Sequence, residues 1–340
     1  MFSANFSRNI LILVISLLLS LFLAELYFKV SKKFIKSYPV KLIGWNHLVD
    51  PELGWLMKPN QRGKLKSSSF GTIDVVINSK GLRDHEYDYK RDDKDRIVML
   101  GDSQLFGLGV NIEKTVPKIL EKKLVNTDVI NMGMIGYGTD QEYLFMKREA
   151  IKYQPDWAIL LYTGNDYWFL DKFYAHAYYY RKPRFTLNKN DLVLNKQMNF
   201  GKLNGSVSAI YADIDSLNNF FYFNSYIYKK ISEILFQKLL APSTTRYKNN
   251  MELSKVIFLK MNNYLNENNI KFVIVFTDRK NQFETELAKW LEKQGIRTIN
   301  TNLNQMQKYY IPQDAHLSQE GHQKIAEQIL NFFQNKELNF

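Results

Sequence analysis

The stretch Ile97-Val98-Met99-Leu100-Gly101-Asp102-Ser103 decides the fold. Four consecutive apolar residues fit a strand buried on both faces, and the Gly-Asp-Ser after them fits a turn at its carboxyl end. The same unit recurs downstream. Val129-Ile130 with Asn131 reads as a second strand ending, leading into a glycine-rich loop that runs to Gly138. Trp157 to Tyr162 reads as a third strand, ending in Gly164-Asn165-Asp166. Lys271 to Phe276 reads as a fourth and Ile296 to Ile299 as a fifth. Helical spacing fills the gaps: Thr115 to Leu124, Thr139 to about Tyr153, and Gln319 to Phe333 after a Ser318 cap. Thr139-Asp140-Gln141-Glu142 reads as a capping box opening the second of these. Strands separated by helices predict an α/β fold: a parallel sheet covered on both sides, in three α/β/α layers.

Around this core the reading places a small extended region at 46–95. It has a turn at Asp50 to Trp55, a strand at Ile73 to Ile77, a turn at Asn78 to Gly81, and a solvated charged segment from Asp84 to Arg96. The main body occupies 96–340, interrupted by an insert at 171–255. The insert is too long for an ordinary connection. Within it, Arg184 to Leu194 reads as a hairpin around Asn188-Lys189-Asn190, and Ser216 to Leu240 as an amphipathic helix.

At the other end, Ile10 to Ala24 (ILILVISLLLSLFLA) contains only apolar residues and serine. Extended through Phe28, it matches the ~20 residues of a spanning helix. A short tail (1–9), a transmembrane anchor (10–28) and a basic linker (29–45) are therefore expected, with the lipid bilayer as a partner. Five lysines and no acid lie in residues 29–41. Taken alone, the positive-inside rule would keep the body cytoplasmic.

The net charge is +12. Beyond the linker, the excess sits in residues 172–202, where seven basic side chains face Asp191 alone. No helix-turn-helix, zinc-finger or RNP-like pattern accompanies it, so nucleic acid is not an expected partner. With Cys 0, a disulfide scaffold, a thiol nucleophile and a Cys-ligated zinc site are excluded. The aromatic run from Tyr167 to Tyr180 reads as packing of the insert or as a cleft wall, with Arg181, Lys182 and Arg184 at its rim.

In parallel sheets ligands bind at the carboxyl ends of strands. Those ends carry Ser103, Gly136 and Asn165, and Asp314-Ala315-His316 precedes the last helix. A serine hydroxyl needs a base, which His316 can supply, and Asp314 can hold the imidazole tautomer. An anionic tetrahedral intermediate needs fixed donors: a backbone N–H at Gly136, another at Ser103, and the Asn165 amide. No Gly-x-Ser-x-Gly elbow, Walker A loop or dinucleotide fingerprint is present.

In order, Gly101-Asp102-Ser103, Gly136 after Asn131, Asn165 in Gly-Asn-Asp, and His316 followed by Gly321-His322 resemble the SGNH/GDSL hydrolase superfamily over roughly residues 96–335, the insert aside. The resemblance implies a flavodoxin-like α/β/α fold, a Ser103 nucleophile and a His316 base. It also implies an oxyanion hole from Ser103, Gly136 and Asn165, with neither cofactor nor metal. The family's commonest Asp-x-x-His spacing would put the acid at 313, which is Gln313; Asp314 gives Asp-x-His, a spacing of membrane-tethered and acetyl-transferring relatives. The implied activity is a membrane-tethered serine esterase acting on O-acyl groups of an envelope glycan or lipid. A polysaccharide O-acetyltransferase and a non-catalytic glycan-binding protein on the same fold are the alternatives. The resemblance also implies an extracytoplasmic catalytic domain, with the linker lysines resting on anionic headgroups.

Overall fold

The structure is a computed structural model that describes residues 4–30, 41–44, 46–164, 166, 170, 182–189, 191–195, 227, 244–277, 282–303 and 306–335. It divides into two compact units: residues 1–39 with 202–241, and residues 40–201 with 242–340.

In the first unit, α1 runs Ala4–Val30. Its stretch from Arg8 to Tyr27 is long and apolar enough to cross a membrane. At ~1.5 Å per residue it would extend about 30 Å. Apolar side chains point out all round the helix, Leu13 at 68% and Leu18 at 60% exposure. The Ser20 hydroxyl donates to the Ser16 carbonyl (2.8 Å), so the hydroxyl is satisfied within the helix itself. The amphipathic helix expected over 216–240 lies, save for Ile227, outside the described residues.

The second unit opens with short antiparallel pieces: β1 Lys41–Ile43, β2 His47–Asp50, β3 Gly54–Met57, β4 Gln61–Ser67 and β5 Gly71–Ile77. β2 pairs with β3, and β1, β4 and β5 form one small sheet. Asp50 makes the β2–β3 turn by accepting the N–H groups of Glu52 (2.9 Å) and Leu53 (2.7 Å). The charged stretch that follows is exposed in its middle, but its two ends are not solvated as expected. Arg83, Asp84 and Arg96 are buried. The Asp84 carboxylate binds the buried Lys118 ammonium (2.7 Å) and accepts the Asn131 N–H (2.6 Å). Arg96 donates to the carbonyls of Asp88, Tyr153 and Lys90. A charge pattern alone does not reveal such partners, most of which come from distant helices and strands.

The central sheet comprises β6 Asp95–Gly101, β7 Thr127–Gly133, β8 Trp157–Tyr162, then β11 Lys271–Phe276 and β12 Arg297–Asn300. All four pairings are parallel, and the strand order is β12-β11-β8-β6-β7. Successive side chains leave opposite faces of a strand, so each one feeds two layers. On one face Ile97, Met99, Trp157, Ile159, Val273 and Val275 pack under α3 (Val116–Lys123) and α7 (Gln319–Asn335). On the other, Val98, Leu100, Ala158, Leu160, Phe272 and Ile274 pack under α4 (Thr139–Arg148), α5 (Thr244–Glu267) and α6 (Gln282–Lys293). This is the three-layer α/β/α arrangement the strand–helix alternation predicts. The hairpin is β9 Arg184–Asn188 with β10 Asp191–Asn195. Position 255, the expected end of the insert, falls inside α5.

The N-cap of α4 differs from the expected capping box by one residue. Gly138 occupies that position, and the Gln141 side chain accepts its N–H (3.4 Å). Glu142 is instead fully buried.

Candidate active site

In a sheet of this order, the chain leaves β6 and β8 towards opposite faces, opening a crevice at their carboxyl ends. Ser103 stands there, the first residue of α2 (Ser103–Phe106). Asp102 builds this turn, because its Oδ1 accepts the Gln104 N–H (2.8 Å) and its Oδ2 accepts the Thr163 hydroxyl (3.3 Å). The aspartate of Gly-Asp-Ser thus ties the end of β6 to the residue that follows β8. Gly133 makes the close packing possible. A Cβ there would lie 2.2 Å from the Phe106 nitrogen, so α2 can rest on the end of β7 only above a glycine.

Ser103, His316 and Asp314 come together as the motif order predicts. Ser103 Oγ is 2.9 Å from His316 Nε2, across 213 residues of sequence. His316 Nδ1 is 2.5 Å from Asp314 Oδ1, and the same oxygen accepts the His316 backbone N–H (2.9 Å). With Nδ1–H donating to Asp314, Nε2 carries the lone pair and the Ser103 hydroxyl donates to it. One carboxylate oxygen therefore fixes both backbone and ring of the same histidine. A two-residue separation permits this, because an aspartate readily bonds the N–H two positions on. The shift from position 313 to 314 accompanies a left-handed backbone at Gln313 (φ +62°). Burial alone would raise the Asp314 carboxyl, but its bonds to the His316 ring and backbone, with the ring's charge, hold it below the ordinary carboxylate value.

Gly136 lies in the loop after β7 with φ +80°, a conformation that favours glycine. It is partly exposed between buried neighbours. Both neighbours are held by Trp55 of β3. The indole N–H donates to the Ile135 carbonyl (3.0 Å), and the Tyr137 hydroxyl donates to the Trp55 carbonyl (2.6 Å). Gln141 donates to the Leu53 carbonyl beside them (2.7 Å). Neither the Ser103 N–H nor the Gly136 N–H has an acceptor among the described residues. Asn165, the third expected donor, lies outside the described residues. The loop on both sides of it is pinned, since Asp166 accepts the Thr163 N–H (2.7 Å) and returns its own N–H to the Thr163 carbonyl (3.1 Å).

One expectation near the site changes. Lys182 is not at a cleft rim: it is fully buried in an ion pair with Asp140, on the first turn of α4. Arg181 and the aromatic run lie outside the described residues, apart from Leu170 within it. His322 is a buried structural group. Its Nδ1 accepts the Val116 N–H at the start of α3 (3.3 Å), and burial, with the Arg83 and His316 charges, lowers its pKa to about 3. Among the described residues, no group of His, Asp and Glu could hold a metal ion.

No family model matches the sequence, and a search of curated proteins finds no match. Similar solved structures include a protein from Desulfitobacterium hafniense described as lipolytic and of the G-D-S-L family. It is 12% identical, with TM-score 0.40, over 70% of this chain and 99% of that one. A lipase/acylhydrolase from Enterococcus faecalis matches at 12% identity and TM-score 0.40, over 71% of this chain and 96% of that one. A psychrotrophic esterase from Pseudoalteromonas matches at 10% identity and TM-score 0.38, over 72% of this chain and the whole of that one. At such values the chemistry stands on the distances above.

Sequence reasoning missed two residues beside the site. Gln104 reaches the loop that carries His316, and Trp55 the loop that carries Gly136, each from a distant stretch of chain. Gln104 sits directly after Gly-Asp-Ser, and that adjacency was the only signal available.

Proposed function

We propose that the chain is a serine hydrolase acting on ester bonds. The observation that carries this reading is the relay from Ser103 Oγ through the His316 ring to Asp314 Oδ1, at 2.9 and 2.5 Å. His316 takes the hydroxyl proton as Ser103 Oγ attacks the ester carbonyl. The resulting imidazolium is stabilised by the Asp314 carboxylate. The N–H groups of Ser103 and Gly136, with Asn165, receive the developing oxyanion. His316 then returns the proton to the leaving alkoxide, giving an acyl-Ser103 and a free alcohol. Water, deprotonated in turn by His316, releases the acid.

The substrate class proposed is an O-acylated glycan or lipid at a membrane surface, with the catalytic part outside the cytoplasm. The apolar α1 supports tethering, since it has the length and composition of a span. A cytoplasm-restricted reporter fused at Phe340 should stay dark; activity from it would reverse the orientation.

The deciding experiment uses the full chain in detergent micelles. A fluorophosphonate should label Ser103, and p-nitrophenyl acetate should be hydrolysed. Both activities should vanish in Ser103→Ala. A folded wild type that neither labels nor hydrolyses overturns the reading.

A further inference from the structure

We infer that Gln104 is a positioning residue that sets where His316 stands relative to Ser103; this inference rests on the hydrolase reading above. The histidine arrives on a loop between residues 309 and 318. That loop is shaped from within: Ile311 N–H donates to the His316 carbonyl (2.9 Å), Asp314 N–H to the Ile311 carbonyl (2.9 Å), and Ser318 N–H to the Tyr309 carbonyl (2.9 Å). These bonds fix the loop's form and leave its distance from β6 to other contacts. Gln104 supplies such contacts. Its Nε2 donates to the Ala315 carbonyl (3.0 Å), and its Oε1 accepts the Leu317 N–H (2.8 Å). Ala315 and Leu317 are the residues immediately before and after His316.

One amide therefore grips both peptide groups flanking the base. Its own backbone is held by Asp102 in the turn that carries Ser103 (2.8 Å). Nucleophile and base are thereby linked through a single side chain. The grip needs one donor and one acceptor on the same planar group, which an amide has. An ionised carboxylate offers acceptors only and would face the Ala315 carbonyl without a proton to share. A misplacement of about 1 Å can cost about 100-fold in rate, so loosening this grip acts on turnover rather than on substrate affinity.

The test compares Gln104→Leu, Gln104→Ala and Gln104→Glu in the full chain. With p-nitrophenyl acetate, kcat should fall roughly 10- to 100-fold in the first two, with KM within about 3-fold. The Gln104→Glu variant has a pH signature. A protonated carboxyl presents one donor and one acceptor, so its activity relative to wild type should rise as pH falls. The ratio for Gln104→Leu should stay flat. A packing role alone would give parallel ratios, and that result overturns the inference, as does unchanged kcat. A second readout works without turnover. The His316 Nδ1–H proton signal in 15N-histidine-labelled protein should be sharp in wild type and broadened or lost in Gln104→Ala. If wild type proves inert towards esters and fluorophosphonate, the hydrolase reading fails while this signal still judges the grip; an identical signal in both proteins overturns it.

Discussion

Replacing Asp314 by Asn keeps the side chain's size and removes its charge. In the folded chain Asp314 Oδ1 receives the His316 ring N–H at 2.5 Å and the His316 backbone N–H at 2.9 Å. A hydrogen bond to a charged group is worth about 1.5–3 kcal/mol, against about 1 kcal/mol for a neutral one. Once His316 has taken the serine proton, a carboxylate about 4 Å from the imidazolium attracts it by about 4 kcal/mol at an effective dielectric near 20. These two contributions describe one interaction and overlap. The pair is also partly wet, with side-chain exposures of 24% and 13%. A loss of about 4 kcal/mol in the transition state follows, which is roughly 1000-fold in kcat. Since the imidazolium forms only as the reaction proceeds, KM should stay within about 3-fold. Initial rates on p-nitrophenyl acetate, with full-length wild type beside Asp314→Asn, measure this. A loss below about 10-fold would show that Ser103 and His316 work as a pair and that Asp314 merely shapes the loop.

Three further outcomes are expected. Burial, with Asp102 and Asp140 nearby, raises the Glu142 carboxyl well above its ordinary value. The folded chain thus keeps a proton that the unfolded chain releases once pH exceeds 4.5. Stability from this source is full below that point and is lost as pH rises. Glu142→Gln should remove that decline, so its Tm relative to wild type should be several degrees better at pH 8 than at pH 5 in thermal melts; an equal difference at both would refute the assignment. Gly133→Ala places a Cβ 2.2 Å from the Phe106 nitrogen and should shift α2. Fluorophosphonate labelling should then slow at least about 10-fold, and unchanged labelling would contradict the packing. Trp55→Phe keeps an aromatic ring but leaves the buried Ile135 carbonyl without its indole donor. A stability loss of about 1–3 kcal/mol by urea unfolding, with roughly 10-fold lower kcat, is expected.

Much of the fold was legible because β6, β8 and β11 are nearly pure apolar runs, and only a doubly covered parallel sheet buries such strands on both faces. Ser103, His316 and Asp314 were legible because their residue types sit at strand ends and before the last helix, where chain connectivity converges. What escaped were pairings between residues far apart in sequence and of ordinary type. Lys182 read as a surface cation in a basic run, yet Asp140 neutralises it in the interior. Asp84 and Arg96 bounded a charged segment, and their partners Lys118 and Tyr153 come from other elements. The α4 cap shifted because Gly138 adopts an extended backbone and Gln141 closes on it, leaving Glu142 free to turn inward. For Lys182, Asp84 and Arg96 the deciding contact is a property of the folded chain rather than of the local pattern.

The grip of Trp55 on the residues either side of Gly136 bears on where a working fragment of this protein begins. Judged by strands and motifs, a chain starting at Asp95 would retain Ser103, Gly136, Asp314 and His316. Such a fragment would leave the Ile135 carbonyl and the Tyr137 hydroxyl without their Trp55 partners, on either side of the glycine. The short hairpin from His47 to Met57 is therefore inseparable from the central sheet and its loops when the chain is shortened or joined to another. The seam lies upstream of it, near residue 40, where the compact unit itself starts.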